Sequence, residues 1–541
     1  MGKGRHTIKV NKRGRKGQGG RHNKKRKTDE AGWDIEEGKG KRGNWAPSER
    51  KNDLFVEYYR NTFGFSDAEW TEFSESLTRD LPTTFRITAH SYFAAALREK
   101  LTTYFQPKLH NVDVGSELLP NIMQFEPLSW YPNGNGWYVR TPRRALKKVD
   151  ALTQFNQFLV NETEVGHTSR QEAVSMIPPI FLKVENHHKV LDMCAAPGSK
   201  TTQLIEYLHQ GLEHGQIPCT IPYRLYRFEC YSELRPGMVV ANDVDEQRCY
   251  MLVHQVKRIG SPCVMMANYA AQLFPAIRPK LDDGSRSEVT FFDRILADVP
   301  CSGDGTLRKN FDLWGKWHPG LGTALHMLQL RIATRAARLL KIGGRMVYST
   351  CSFNPVEDEA VVAELIRRGQ GALEVVDMSD ELPGLKRSPG ITSWKVYDLV
   401  HKDRDTKEKE YKWYTAHSEL PERRQGSIPA TCFPPTADEV EALHLERCVR
   451  VFPHQQDTGG FFITVGEMPP VPDEEEVFKK KHKRKAANAT GAAAATTTTE
   501  EAANAEEKGK EKEAETKADD AAGMELEKQE KRGRRGGRRR R

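Results

Sequence analysis

The chain is predicted to fold as an α/β protein around a doubly wound parallel sheet, on three observations. Short apolar runs alternate with amphipathic segments from about Val149 to Met468. The runs have strand length and the segments helix length, the pattern of βα units in a parallel sheet. Asp192, Asp243, Asp298 and Cys351 stand at or just past the ends of four runs, where such sheets hold their ligands.

In order, Lys189–Met193 is expected as the first strand, with Val190 and Leu191 leading into Asp192. Ser199–His209 follows as a helix, with Thr202, Leu204, Ile205 and Leu208 spaced for one buried face. Gly237–Asn242 is the second strand, Glu246–Ile259 a helix, Cys263–Ala267 the third strand and Phe292–Ala297 the fourth. Ala324–Leu340 is a long helix, Arg345–Ser349 the fifth strand, and Val356–Arg367 another helix. The late runs Val449–Phe452 and Gly460–Val465 are expected to complete the sheet as an antiparallel hairpin.

Composition divides the chain into four segments. Residues 1–50 form a Gly/Lys/Arg-rich arm with too few apolar groups to fold. In residues 51–150 aromatic and apolar residues return, and Tyr92–Tyr104 has the character of a helix. Residues 151–470 carry the sheet, and residues 471–541 are a Glu/Lys/Ala/Thr tail expected to be disordered. The net charge is +9, concentrated in Met1–Lys27, which has no acid, and in the arginines that follow Lys531. These clusters suit a polyanion such as RNA, or a nuclear or nucleolar address; a solvated charge run with neither role is the plainer alternative. Nine cysteines without a C-x-x-C pair or zinc spacing predict reduced thiols, with neither a structural metal nor disulfides. No apolar run approaches the ~18 residues that span a bilayer, so a soluble, non-secreted protein is expected.

The turn after the first strand reads Cys194-Ala195-Ala196-Pro197-Gly198-Ser199-Lys200. Its small residues let backbone approach a ligand, Pro197 stiffens it, and Gly198 admits unusual dihedrals where the helix begins. That helix N-terminus could take a carboxylate. The turn matches neither G-x-G-x-x-G nor a Walker lysine pattern, which counts against dinucleotides and nucleoside triphosphates. Asp243 is placed for the two hydroxyls of a ribose, or equally for a helix cap. Cys301, in Asp298-Val299-Pro300-Cys301-Ser302-Gly303-Asp304-Gly305-Thr306, and Cys351, in Ser349-Thr350-Cys351-Ser352, follow successive strands. A single cysteine is ordinarily a small buried hydrophobe. Two in loops at one mouth suggest a thiol-lined pocket, because a thiolate suits attack on a weakly electrophilic ring carbon.

Together, Asp192–Thr201, Asp298–Thr306 and Tyr348–Ser352 resemble the motifs of the Sun-domain RNA (cytosine-5)-methyltransferases. Leu81–Thr88 resembles that family's N-terminal motif, and Ser169–Pro179 the segment before its first strand. Asn242–Asp245, Arg308-Lys309-Asn310 and Gln456–Phe462 look most like the eukaryotic tRNA branch. The resemblance implies a Rossmann-like class I methyltransferase sheet, an RNA-binding N-terminal extension, and S-adenosyl-L-methionine as cofactor. It implies that Cys194–Lys200, Asp243 and Asp298 contact that cofactor. Cys351 would add to carbon 6 of an unstacked cytosine, making carbon 5 nucleophilic. Asp298 would face the ring nitrogen 3 edge, and Cys301 would assist loss of the carbon-5 proton and release of Cys351. Lys200 is a candidate for the positive charge that would favour the thiolate.

The chain departs from the family twice. Ala270, in Asn268-Tyr269-Ala270, stands where an acid usually meets the adenine amine, so weaker cofactor binding or substitution by Asn268 is expected. Low complexity after Pro470 replaces a further folded region, so RNA preference is expected to differ from the branch. Two other readings stay open: a non-catalytic RNA-binding factor on the same fold, and an enzyme acting on rRNA or another RNA. A DNA cytosine methyltransferase would use the Pro-Cys thiol as nucleophile and would lack the Thr350-Cys351 partner.

Overall fold

A computed structural model describes residues 50–109, 124–141, 146, 150–210, 237–278, 280, 284–402 and 409–470. The arm (1–49) and tail (471–541), for which disorder is expected, lie outside the described residues.

A small antiparallel sheet comes first: β1 (Thr83–Ile87), β2 (Phe125–Pro127), β3 (Gly136–Val139) and β4 (Thr168–Arg170), in the order β2-β3-β1-β4. It draws on residues from both sides of position 150. Phe85, Phe125, Phe155 and Leu159 are buried in its core, which the helix Asp150–Glu164 covers. The expected helix at Tyr92–Tyr104 forms as Ala94–Lys100 and continues through a π-helical turn, Leu101–Phe105.

The main sheet contains β5 (Lys189–Asp192), β6 (Met238–Asn242), β7 (Val264–Ala267), β8 (Phe292–Asp298) and β9 (Leu340–Thr350). These five are parallel, in the order β7-β6-β5-β8-β9. Short strands β10 (Glu374–Val375) and β11 (Ser388–Pro389) and a separate hairpin, β12 (Val396–Lys402) with β13 (Lys409–Tyr414), follow. β14 (Val449–Val451) and β15 (Phe461–Glu467) pair antiparallel, and β15 pairs antiparallel with β9. This is the hairpin expected from the late apolar runs. Val190, Leu191, Val239, Val240, Ala241, Ile295, Leu296 and Ala297 are all buried. Their uninterrupted apolar character reflects helices on both faces of a parallel sheet. The strand order reverses between β5 and β8, so the crevice beyond their C-terminal ends is the switch point where ligands of such sheets bind.

One helix begins later than its sequence suggests. The expected Val356–Arg367 is observed as Glu359–Gly369. Asn354 Oδ1 accepts the Val356 N–H at 3.0 Å, a local turn that competes with the helix. Glu357 and Asp358 are thereby left before the helix, with both side chains turned inward and buried.

Candidate functional site

The turn after β5 is held from several directions. Gly198 has φ +111°, a conformation that favours glycine, and a Cβ there would press on the Leu252 side chain at 3.0 Å. The helix Ser199–Leu208 begins immediately after it, with no side-chain cap at its N-terminus. Arg86 of β1 ion-pairs with Glu206 and donates to Thr202 Oγ1 at 3.1 Å, tying the small sheet to this helix. Asp243 is buried; its Oδ2 accepts the Ala196 N–H at 3.1 Å and its Oδ1 the Asp245 N–H at 3.0 Å. The cap of the next helix is Asp245, not Asp243, which removes the capping alternative.

A cavity of about 190 Å3 opens at this turn, lined by Asp192, Cys194, Ala195, Ala196, Pro197, Ser199, Lys200 and Asp298. Arg170, Gln171, Glu172, Ser175 and Lys309 close it from the preceding segment and the thiol loop. Sequence reasoning attached no role to these five, although two of the quoted motifs contain them. Asp192 Oδ2 accepts the Thr201 hydroxyl at 2.7 Å, while Asp192 Oδ1 is buried without a hydrogen-bond partner. On the β7 side, Asn268 Nδ2 donates to the carbonyls of Asp243 (2.8 Å) and Val244 (3.1 Å). The Asn268 amide nitrogen is thus committed to backbone, and Ala270 adds no polar group beside it.

The structure brings the two thiols together. Cys301 Sγ and Cys351 Sγ lie 3.2 Å apart beyond the ends of β8 and β9. Lys200 Nζ is 2.6 Å from Asp298 Oδ2, and Asp298 Oδ1 accepts the Ser349 hydroxyl at 2.8 Å. Burial disfavours the Lys200 ammonium, but Asp298, Cys351 and Asp192 together outweigh it and hold Lys200 above its ordinary value. The hydrogen bond with Cys351, followed by burial, pushes the Cys301 thiol well up, so Cys301 keeps its proton beside Cys351.

Close backbone approach explains Gly305 of the Cys301 loop. The Gly305 N–H donates to the Cys351 carbonyl at 2.9 Å, and a Cβ on Gly305 would fall 2.7 Å from that oxygen. Asp304, fully buried, accepts the Phe353 N–H at 2.8 Å, Trp317 Nε1–H at 2.9 Å and the Tyr59 hydroxyl. Tyr59 comes from the helix Asp53–Thr62, so the segment before the small sheet also braces the thiol loops.

Asp192 provides a pH test. Burial, with Asp298 adding to it, raises its carboxyl to about 7. An unfolded Asp, titrating near 4, binds fewer protons over this range, so stability falls as pH rises from about 4 to 7. Asp192→Asn cannot ionise and keeps an acceptor for Thr201. Its unfolding free energy minus that of the wild type should therefore grow from pH 5 to pH 8, reaching on the order of a few kcal/mol. A difference independent of pH would contradict this.

Known proteins provide kinship. Residues 232–465 match the family described as 16S rRNA methyltransferase RsmB/F. The chain is 45% identical over 422 residues to a tRNA (cytosine(34)-C(5))-methyltransferase of Drosophila melanogaster, covering 77% of this chain and 53% of that protein. It is 42% identical over 426 residues to a multisite-specific tRNA:(cytosine-C(5))-methyltransferase of Saccharomyces cerevisiae, covering 78% and 56%. It therefore spans little more than half the length of these relatives. A shorter relative, a tRNA (cytosine(49)-C(5))-methyltransferase of Pyrococcus abyssi, is 33% identical over 291 residues, which cover 53% of this chain and 76% of that protein. With matching motifs on a matching sheet, the chain belongs to the RsmB/F, or Sun-domain, family of RNA (cytosine-5)-methyltransferases.

Proposed function

We propose that the protein transfers a methyl group from S-adenosyl-L-methionine to carbon 5 of cytosine in RNA, with tRNA as substrate. The observation that carries this reading is the thiol pair, 3.2 Å apart at the switch point beside the Lys200–Asp298 ion pair. The cofactor fits the residues present. Asp192 Oδ1 is a buried acceptor without a partner, suited to an ammonium, and the small residues Ala195 and Ala196 leave room along the turn. The turn Cys194–Lys200 with Asp192, Asp243 and Asp298 would hold it, and when bound it supplies the methyl group.

The remaining chemistry belongs to the chain's own side chains. Cys351, as thiolate, bonds to carbon 6 of the cytosine and loads electron density onto carbon 5. Asp298 faces the ring nitrogen 3 edge from a position fixed by Ser349, and Lys200, paired with it at 2.6 Å, offsets the negative charge that develops there. Once carbon 5 is methylated, its proton leaves, the C5=C6 bond re-forms and Cys351 departs; Cys301 assists this release. The small sheet, with the exposed Tyr92 and Phe93 in the turn after β1, binds the RNA, and the basic Met1–Lys27 arm directs the chain to the nucleus.

The preference for tRNA over rRNA rests on 42–45% identity to two tRNA enzymes, against 28–31% to ribosomal small-subunit methyltransferases. The test incubates the full chain with methyl-labelled cofactor and purified tRNA or rRNA, followed by bisulfite sequencing. New protected cytosines in tRNA are expected. Label confined to rRNA would overturn the substrate, and no transfer to any RNA would overturn the activity.

A further inference from the structure

We propose that Glu357 is a positioning residue that holds Cys301 where it can resolve the covalent Cys351–RNA intermediate. The inference rests on the methyltransferase reading above and names a residue which that reading does not use.

Glu357 is fully buried, yet it makes no ion pair among the described residues. Its carboxylate instead gathers donors from both thiol loops. Glu357 Oε1 accepts the Ser302 N–H at 2.8 Å, and Glu357 Oε2 accepts the Ser302 hydroxyl and, at 2.7 Å, the Ser352 hydroxyl. Ser302 follows Cys301 and Ser352 follows Cys351, and their two hydroxyls lie 3.1 Å apart. Gln329 of the long helix Gly320–Leu339 donates to Glu357 Oε1 at 2.9 Å and to the Pro300 carbonyl at 3.0 Å. The residues before and after Cys301 are therefore both fastened to the Glu357–Gln329 pair. Burial, then the nearby Asp304 charge, raise the Glu357 carboxyl to about 7, a cost that so many donors offset only in part. A buried carboxyl kept at that cost, tethering both thiol loops, fits a functional constraint.

The two cysteines depend on Glu357 unequally. Cys351 directly follows strand β9, whose last residues pair with β8 and β15, and its carbonyl accepts the Gly305 N–H. Cys301 lies in a loop of no regular structure, anchored through Pro300 and Ser302. Loss of Glu357 should leave Cys351 able to form its bond while displacing Cys301. Release breaks the C5–H and C6–Sγ bonds. Once Cys351 is bonded to carbon 6 it no longer holds the Cys301 proton, which Cys301 gives up to solvent. As thiolate, Cys301 takes the C5 proton, the C5–H electron pair forms the C5=C6 bond, and Cys351 leaves as thiolate. A misplaced Cys301 slows this step and not the preceding ones.

The test uses the full chain with the tRNA that the wild type methylates, comparing Glu357→Gln, Ser302→Ala and Cys301→Ala. Protein–RNA adducts are quantified on denaturing gels beside kcat and KM. For Glu357→Gln, kcat should fall about tenfold to a hundredfold, the range for a misplaced catalytic group. KM for RNA should be unchanged, and the adduct should rise several-fold above wild type toward the Cys301→Ala level. Ser302→Ala removes one tether and should shift both readouts in the same direction by less. Adduct at the wild-type level with unchanged kcat, or adduct and kcat lost together in a protein that melts normally, overturns the assignment. If Glu357→Gln does not fold, the Ser302→Ala readouts decide alone. Absence of adduct from Cys301→Ala would instead overturn the methyltransferase mechanism on which the inference rests.

Discussion

Cys351→Ala should abolish both methyl transfer and covalent RNA adducts, whereas Cys301→Ala should abolish turnover yet accumulate the adduct. The two thiols lie 3.2 Å apart and look interchangeable by distance alone. Their surroundings differ. Cys351 directly follows a strand anchored on both sides, and it lies within the influence of Lys200, whose ammonium it helps to keep charged. Cys301 carries a thiol whose proton is held firmly by its neighbour and by burial. A nucleophile should be the fixed thiol, and its loss removes every later step, so a fall of at least about a thousandfold is expected. Labelled RNA on denaturing gels, run beside methyl incorporation, checks both variants. Equal loss of adduct in the two would show that the roles are not divided this way.

Arg450→Met should be the most damaging change to stability outside the reacting groups. Arg450 is buried, and its guanidinium bonds Glu359 through two nitrogens, one at 2.6 Å to Oε1. It also lies 3.3 Å from Asp358 Oδ2 and donates to the Phe353 carbonyl at 2.9 Å. Both acids are fully buried. Removing the cation leaves the buried Glu359 without its partner, beside an Asp358 carboxyl that burial already holds well above the ordinary range, a loss of about 3–5 kcal/mol. Asp358 also accepts the Thr350 hydroxyl at 2.6 Å, so disturbance should spread to the residue before Cys351. Urea denaturation measures the loss directly. Adding Glu359→Gln should recover part of it, because the substitution leaves no stranded charge there. A cost below about 1 kcal/mol would mean that the acids are already neutral in the folded protein.

Much of the sheet was legible in the sequence because parallel strands, covered on both faces, must be apolar along their whole length. Val190–Leu191 and Ile295–Ala297 announce themselves in this way, and the loop residues at their ends follow from topology. Helix ends were harder. Val356 and Glu357 have helical character, but the Asn354 side chain and Pro355 divert the backbone before the helix can start. The resemblance to a known family, carried by the turns and not by the strands, supplied the chemistry that periodicity does not contain.

The sequence by itself determined the α/β class, the strand-end turn Cys194–Lys200, and the pair of cysteines that follow successive strands. Only the tertiary structure decided that the cysteines meet, that Asp245 and not Asp243 caps its helix, and that Glu357 fastens both thiol loops. The division has a physical cause. Strand and turn preferences are local and are written in neighbouring residues. The polar network around the thiols joins Tyr59, Ser302, Gln329, Ser352 and Glu357, which approach one another only after the sheet has closed. Its members are ordinary polar residues, and burial in a low-dielectric interior is what turns them into a site.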